Sequence, residues 1–256
     1  MLVTCLTDFG LRDTYVGQMK AALLAVAPTA SLVDLTHAVP PQDVQAGAFL
    51  LAQAVEVCPS RSVHLAVVDP GVGSSRRAVA ARAQRGDLFV GPDNGLLVPA
   101  LDRLGGPSSV VELRETSFWR RATPSSTFHG RDIFAPVAGH LANGVALERL
   151  GPPAEISRPF ELPAPRDLEG EVVYVDGFGN LVTNLPAASL PARYVVLLGS
   201  HRIQPHPHYQ SVPRGALLAV VGSAGLLEIS ARDGSAADQT GAGRGTPVRL
   251  EVADSS

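Results

Sequence analysis

The sequence predicts an α/β N-terminal domain with a mainly parallel sheet, followed by a small all-β, barrel-like C-terminal domain. In the first part, apolar runs alternate with segments of helical spacing, a pattern typical of a parallel sheet covered by helices. After a proline-rich stretch, only short strand-like runs separated by turns remain, as in a small antiparallel barrel or sandwich. We expect domains at 1–151 and 169–256, joined by a Pro-rich linker at 152–168.

The first predicted elements alternate regularly between strand and helix. Pro28 is expected to stop the first helix, and Asp43 is a suitable N-cap for the second, which Pro59 ends. In order, the elements are a strand at 2–6, a helix from 14, a strand at 31–35, a helix after 43 and a buried strand at 63–68.

The later elements are shorter. Ile133, Val137 and Leu141 share one face of a helix after the polar segment 125–132, and Pro136 indicates that this helix begins late or bends. The other elements of the first domain are strands at 77–82, 88–90 and 110–113 and a helix at 96–104. The C-terminal strands are expected at 171–176, 181–185, 194–198, 216–221, 226–230 and 246–252.

Composition narrows the class of protein. The chain has 256 residues and a net charge of −3, whereas a nucleic-acid partner usually requires a concentrated basic face. Its apolar runs are far shorter than a membrane span, and its first residues resemble a strand rather than a signal peptide. Cys5 and Cys58 are too few for a disulfide framework or a zinc quartet. We therefore expect a cytoplasmic protein that binds neither nucleic acid nor membrane.

A short loop follows the buried strand at 63–68. The strand ends at Asp69, Pro70 and Gly71 begin a tight turn, and Arg76 follows the turn. In open α/β sheets, ligands bind at the carboxyl ends of strands, so this loop is a candidate site. Taken alone, it is equally compatible with a plain turn whose arginines face solvent.

Three further acids occupy similar positions, namely Asp8, Asp93 and Asp176. Acids at such points often only cap helices or form turns. Together with Asp69, they favour a site for a cationic or hydroxyl-rich ligand. The sequence has neither GxGxxG nor GxxxxGK[ST], so a pyrophosphate cofactor is poorly supported.

Histidines are the remaining candidates for chemistry. His129 precedes a predicted helix and adjoins charged residues, so we favour a functional role over the commoner structural one. Three more histidines lie in a proline-rich segment: His201, His206 and His208. Metal binding by these three is possible in principle, but an HxH pair without a nearby carboxylate is more typical of an exposed turn. We therefore expect no metal site.

Six motifs, in order and in both domains, resemble one family, the S-adenosyl-L-methionine (SAM) hydroxide adenosyltransferases or SAM hydrolases, relatives of fluorinase and chlorinase. The resemblance runs from about residue 3 to residue 237. The motifs are TDFG with a following acid at 7–13, DLTH at 34–37, VVDPGVGSSRR at 67–77, GPDNGLL at 91–97, STFHGRDIF at 126–134 and DGFGNLVTNL at 176–185.

The resemblance implies a reaction and an assembly. Water or hydroxide attacks C5′ of the ribose in SAM, and adenosine and L-methionine leave. No cofactor is implied, because SAM is the substrate. The family fold is an α/β domain with a C-terminal β-barrel, and the family assembly is a homotrimer with sites at subunit interfaces.

The resemblance also assigns roles to individual residues. The catalytic triad is Asp69, Arg76 and His129, and Arg76 is favoured over Arg77 because its spacing from Asp69 matches the family without a gap. Asp69 would accept or orient a proton of the water, and Arg76 would stabilise hydroxide. The implied ligand contacts are Asp8 to the ribose, Asp176 to the methionine ammonium, Ser223 to its carboxylate, Asn180 to adenine, and Phe128 and Phe178 as apolar walls.

One residue departs from the family pattern, and two other functions stay open. Gln42 stands where family members often carry an aromatic residue, which puts one wall of the sugar pocket in doubt. A halide adenosyltransferase on the same scaffold is disfavoured because the complete Asp, Arg and His set is present. A nucleoside-binding protein without turnover would use most of the same site.

Overall fold

The computed structural model describes residues 1–252, and the chain divides into two compact units. The first is Met1–Leu162, and the second begins at Pro163. The predicted C-terminal domain extends to 256, so its last four positions, 253–256, lie outside the described residues. The boundaries of the linker at 152–168 stay a prediction.

The first unit is built on a mixed six-stranded sheet in the order β2-β1-β3-β5-β4-β6. Strands β2, β1, β3 and β5 are mutually parallel, and β4 is antiparallel to both of its neighbours. The α/β class is thus confirmed, with parallel strands in the part of the sheet that carries the site. The strands are β1 Leu2–Thr7, β2 Ser31–Thr36, β3 Val63–Val67, β4 Ala78–Ala83, β5 Leu88–Pro92 and β6 Pro107–Glu112.

Four helices accompany this sheet, and two of them cover the strands that lead to the site. Met19 and Leu23 of α1 and Val137 of α4 join the apolar core formed with β1 and β3. Among residues 1–252, no helix is long and apolar enough to cross a bilayer. The helices are α1 Tyr15–Val26, α2 Val44–Ala54, α3 Val98–Arg103 and α4 Ala135–Ala142.

Local sequence signals account for several helix ends. The Asp43 carboxylate accepts a hydrogen bond from the Ala46 backbone N–H at 3.0 Å, which confirms the predicted N-cap of α2. The predicted late start of α4 is also confirmed. A π-helical turn, Gly130–Phe134, precedes α4, and Pro136 lies in the first turn of α4, where a missing N–H costs little.

The second unit contains a nearly closed antiparallel sheet in the order β10-β9-β13-β7-β8-β12-β11. A bridge between Pro205 and Ala219 links the chain after β10 to β11 and so brings the two edges together. The predicted all-β class is confirmed. The strands are β7 Glu169–Val175, β8 Leu181–Pro186, β9 Tyr194–Leu198, β10 His201–Ile203, β11 Leu217–Val221, β12 Leu226–Ala231 and β13 Pro247–Val252.

Two elements of the second unit escaped the sequence analysis. His201–Ile203 forms β10, so the interpretation of this segment as only a turn was wrong at its start. The short helix α5, Ala236–Thr240, is capped by Ser235, whose hydroxyl accepts a hydrogen bond from the Asp238 backbone N–H at 3.0 Å. Both elements are too short to show a periodic pattern of apolar residues.

Candidate active site

A bidentate ion pair stands at the end of β3. Arg76 Nε donates a hydrogen bond to Asp69 Oδ1 at 3.0 Å, and Arg76 Nη2 donates a second one to Oδ2. The side chains of Asp69 and Arg76 are only 5% and 9% exposed. Because a guanidinium presents its donors in a rigid planar fork, this pair fixes the orientation of the carboxylate.

His129 completes the cluster. Its Nδ1 lies 3.2 Å from Arg76 Nη2, and because a guanidinium can only donate hydrogen bonds, Nδ1 is the acceptor. Burial, and next the positive charge of Arg76, lower the pKa of His129 below its usual value. The ring is therefore neutral at pH 7, with its proton on Nε2. The structure thus brings together the three residues of the predicted triad, whose roles stay predictions.

A close approach between two loops makes this cluster possible. Gly73 has a φ of +76°, and a Cβ atom there would lie 2.2 Å from the backbone oxygen of Ser126. Only glycine allows both this conformation and this contact. The loop after β3, which carries Arg76, can therefore reach the segment before α4, which carries His129.

Aromatic rings form the wall next to the cluster. Phe9 and Phe128 pack edge to face, with their ring centroids 5.6 Å apart. Gly130 lies against both rings, since a Cβ there would be 3.1 Å from Phe9 and 3.3 Å from Phe128. A cavity of about 190 Å³ opens between these rings and the polar groups Asp8, Asp69 and His129.

Asp8 and Gln42 both line this cavity and contact each other. The backbone N–H of Gln42 donates a hydrogen bond to Asp8 Oδ2 at 2.8 Å. Gln42 has a φ of 65°, a left-handed conformation that costs energy for any residue other than glycine. The residue that departs from the family pattern therefore lines this cavity and holds the predicted ribose-binding acid.

Asp93 lies outside this cluster. Its carboxylate accepts hydrogen bonds from Arg77 Nε at 2.9 Å and from the backbone N–H and hydroxyl of Ser157, both at 2.8 Å. Arg77 Nη2 also donates to the backbone oxygen of Glu155 at 2.8 Å. Arg77 and Asp93 therefore attach the segment at 155–157 to the rest of the first unit. Asp93 does not line the cavity that Asp69 lines.

The predicted ligand residues of the second unit cluster in one turn. Asp176 Oδ1 accepts hydrogen bonds from the backbone N–H groups of Phe178 and Asn180, both at 2.9 Å, and Oδ2 accepts one from Asn180 Nδ2 at 2.8 Å. Asn180 is buried, whereas the side chain of Phe178 is 81% exposed. Ser223 lies in the turn between β11 and β12.

Other residues near this turn were not singled out individually in the sequence, although Asp233 and Gly234 lie in the segment 222–237, which resembles a second ligand-binding stretch of the family. Tyr209, Asp233 and Gly234 line a cavity of about 390 Å³ with Phe178 and Asn180. No local signal singled out Tyr209, because it stands in the segment interpreted as a turn. Asp233 has a φ of 56°, which only the three-dimensional structure reveals.

Glu228 on β12 was likewise not singled out individually. Burial, and next the negative charge of Asp176, raise the pKa of the Glu228 carboxyl. A Cβ atom at Gly222 would lie 1.8 Å from Glu228 Oε1, so this carboxyl lies against the backbone next to Ser223. The signal that pointed to this region was the resemblance of the segment 222–237 to a ligand-binding stretch of the family. Two acids near one another make this part of the second unit suitable for a cationic group.

The described part of the chain, residues 1–252, offers no grouping of three or more histidine, cysteine, aspartate or glutamate side chains that could hold a metal ion. In the histidine-rich segment, His201 belongs to β10, and His208 Nδ1 lies 3.2 Å from the hydroxyl of Ser211.

A buried cluster of aspartate, arginine and histidine at the end of a parallel strand is typical of an enzyme active site, and the comparisons with known families identify the class of enzyme. The family model for the SAM hydroxide adenosyltransferase N-terminal domain matches residues 3–151, and the model for the C-terminal domain matches 170–249. The chain therefore belongs to the SAM hydroxide adenosyltransferase family.

Individual relatives agree with this placement. The (R)-S-adenosyl-L-methionine hydrolase of Salinispora arenicola (strain CNS-205) is 44% identical over 95% of each chain. The fluorinase of Nocardia brasiliensis is 29% identical over 74% of this chain and 72% of its own. The crystal structure of an uncharacterized conserved protein from Thermotoga maritima superposes with a TM-score of 0.91 at 34% identity, covering 98% of this chain and 100% of that one.

Proposed function

We propose that this protein hydrolyses SAM to adenosine and L-methionine. The oxygen of a water molecule or hydroxide attacks C5′ of the ribose, the bond from C5′ to sulfur breaks, and its electron pair leaves with the methionine sulfur. The observation that carries the proposal is the buried cluster of Asp69, Arg76 and His129, of which Asp69 and His129 line one cavity together with Asp8. The hydrolase from Salinispora arenicola, 44% identical, supports the same activity.

Each member of the cluster has a role that suits its chemistry. Asp69 orients the attacking water and accepts its proton, directly or through the hydrogen-bonded network. Each oxygen of this carboxylate has two lone pairs, so the bidentate contact with Arg76 leaves room for a water. Arg76 stabilises the developing hydroxide by its charge, and His129 Nδ1 fixes one end of the guanidinium. General-base assistance of this kind contributes roughly 10²- to 10⁴-fold to the rate.

The reaction also benefits from the apolar wall of the cavity. When hydroxide meets a sulfonium, opposite charges cancel, so the transition state is less polar than the reactants. Phe9 and Phe128 limit the water that surrounds the reacting atoms. Aromatic faces also attract a cation such as the sulfonium, which favours binding of SAM over neutral analogues.

The remaining substrate contacts follow from the family resemblance. Asp8 grips the ribose hydroxyls, and Asn180 meets the adenine edge, with Phe128 and Phe178 as apolar walls. Asp176 binds the methionine ammonium and Ser223 its carboxylate. Burial first, and the charge of Asp176 second, raise the pKa of the Glu228 carboxyl, and an ammonium bound beside these two acids would stabilise their ionised forms.

We further propose a homotrimer with sites at subunit interfaces, no cofactor, and a cytoplasmic location. The Phe178 ring, 81% exposed in the single chain, is a large apolar surface that an interface would cover. Cys5 and Cys58 are both free thiols, as expected in a reducing compartment.

Product analysis tests the proposed function. Purified protein is incubated with SAM, without and with added chloride, and the products are separated by chromatography. We expect adenosine and L-methionine under both conditions. A 5′-halogenated adenosine would instead indicate a halide adenosyltransferase, and unreacted SAM retained by the protein would indicate a nucleoside-binding protein.

A further inference from the structure

A chain of polar side chains leads from the surface of the first unit to the residue before Asp8. Lys20 Nζ, on α1, donates a hydrogen bond to Asp34 Oδ2 at 2.6 Å. Asp34 Oδ1 lies 3.1 Å from His37 Nε2. His37 Nδ1 in turn lies 2.8 Å from the hydroxyl oxygen of Thr7, the last residue of β1. The side chains of Lys20, Asp34, His37 and Thr7 thus form a continuous series of contacts from the surface to the end of β1. Asp8 follows directly after this strand.

The polar contacts of Thr7 and His37 indicate which atom donates and which accepts at each step. The backbone N–H of Phe9 donates to the Thr7 hydroxyl oxygen at 3.2 Å, so the Thr7 hydroxyl proton is free to point at His37 Nδ1. His37 Nδ1 can accept that proton in the tautomer with hydrogen on Nε2, the nitrogen that lies 3.1 Å from Asp34 Oδ1. This last contact is oblique, so its attraction is mainly electrostatic. Asp34 therefore selects the tautomer of His37 that can accept from Thr7.

Backbone hydrogen bonds tie the same segment to both sides of Asp8. The backbone N–H of Gly10 donates to the carbonyl oxygen of His37 at 2.7 Å, and that of Val39 donates to the carbonyl oxygen of Thr7 at 3.4 Å. The Asp8 carboxylate itself accepts from Gln42 N–H. The position of Asp8 is therefore set by the segment that begins at His37.

Burial distinguishes the inner part of this chain from its outer part. Thr7 is completely buried and the side chain of His37 is 2% exposed, whereas those of Lys20 and Asp34 are 28% and 39% exposed. Polar groups inside a core require polar partners, and the contact of His37 with Asp34 leads to the partly exposed end of the chain at Lys20. Asp34 thus contacts the buried histidine directly, and Lys20 contacts Asp34.

We propose that Lys20, Asp34 and His37 are positioning residues that fix Asp8 for the ribose hydroxyls of the substrate. The inference rests on the proposed function, since it takes Asp8 as the ribose-binding acid. None of the three needs to touch the substrate. Lys20 neutralises Asp34, Asp34 orients His37, and His37 holds Thr7 and the backbone around Asp8. Loss of the ion pair between Lys20 and Asp34 should therefore weaken substrate binding, while the cluster of Asp69, Arg76 and His129 stays intact.

Substitutions of Lys20, the only lysine in the sequence, test this inference. Lys20→Met should raise KM for SAM and the Kd for adenosine by roughly 5- to 20-fold, less than the 10²-fold that a 1 Å misplacement of a reacting group costs. The value of kcat should stay within about twofold. Lys20→Arg keeps the charge and should restore most of the affinity. Arg103→Met, which breaks a 2.8 Å ion pair with Glu56 in the same unit, is the matched control.

A double substitution shows whether the residues act as a chain. If Lys20 acts through Asp34, the Lys20→Met/Asp34→Asn protein should bind adenosine no more weakly than the weaker of the two single variants. Both residues are partly exposed, so these variants should fold even if a change at His37 does not. If the losses of adenosine affinity in the two single variants add up in the double variant, Lys20 does not act through Asp34.

The outcomes separate this inference from the proposed function. An unchanged Kd for adenosine in Lys20→Met, with only a lower melting temperature, would show that the chain is merely structural and would overturn the inference. A lower kcat with unchanged KM would overturn it as well. If the unmodified protein does not turn over SAM, the proposed function fails, but the adenosine Kd of the variants still decides the role of the chain.

Discussion

At the scale of single residues, Arg76 and Arg77 show how neighbours of identical type acquire different tasks. Arg76 pairs with Asp69 beside the cavity, and Arg77 pairs with Asp93 and holds the segment at 155–157. Adjacent residues of this loop thus direct their guanidinium groups to two different carboxylates. The sequence indicated that one arginine would face Asp69, and only the family spacing favoured Arg76.

Lysine substitutions at Arg76 and at Arg77 test whether the two arginines have different roles. Arg76→Lys should lower kcat for SAM by about 10²-fold, because an ammonium cannot reproduce the bidentate contact with Asp69. Arg77→Lys should leave kcat within about twofold and lower the melting temperature by a few degrees, roughly as a loss of ~1 kcal/mol would. Steady-state kinetics and thermal melts of both variants provide the measurements. Equal losses of kcat in both would contradict the assignment.

The state of His129 predicts a pH dependence. Burial and the charge of Arg76 lower the pKa of His129 below the ordinary value for histidine, so the neutral ring dominates at neutral pH. Its Nδ1 can accept from Arg76 only when the ring is neutral, so kcat/KM should stay level from about pH 7 upward through pH 8 and decline only below about pH 6.5. A decline that begins well above pH 7 on acidification would contradict a lowered pKa.

At the scale of elements, the site depends on two loops more than on any helix or strand. The strand before Asp69 and the helix after His129 could both be predicted, because apolar periodicity, Asp43 and Pro136 mark element boundaries. The π-helical turn Gly130–Phe134 and the contact of Gly73 with Ser126 could not. Such contacts join residues far apart in sequence, and neither periodicity nor turn chemistry encodes them.

Alanine substitutions at two glycines of one loop test the role of the close approach. Gly73→Ala should reduce kcat/KM by at least about tenfold, because a Cβ 2.2 Å from Ser126 O forces the loop and Arg76 away from His129. Gly71→Ala is the control, since its nearest contact would be Ser74 Oγ at an ordinary 3.4 Å. Steady-state kinetics and melting curves of both variants distinguish a loss of activity from a loss of stability. Similar activity of the two variants would show that the loop contact does not position Arg76.

At the scale of the whole molecule, the predicted site residues are shared between the two units. The first unit holds Asp8, Phe128 and the cluster of Asp69, Arg76 and His129, and the second holds the turn of Asp176 together with Ser223. Motif order predicted this division because each motif follows or precedes a recognisable element. Tyr209 was missed, and Asp233 and Glu228 were marked only through their segment, 222–237, because their proximity to the Asp176 turn arises only when the sheet of the second unit folds.

The most direct test of the central claim follows the oxygen atom of the water. The protein is incubated with SAM in ¹⁸O-labelled water, and the products are analysed by mass spectrometry. Attack of water on C5′ predicts that the 5′-hydroxyl of adenosine carries the label and that L-methionine carries none. Unlabelled adenosine, or release of 5′-methylthioadenosine from attack on the methionine side, would contradict hydrolysis at C5′.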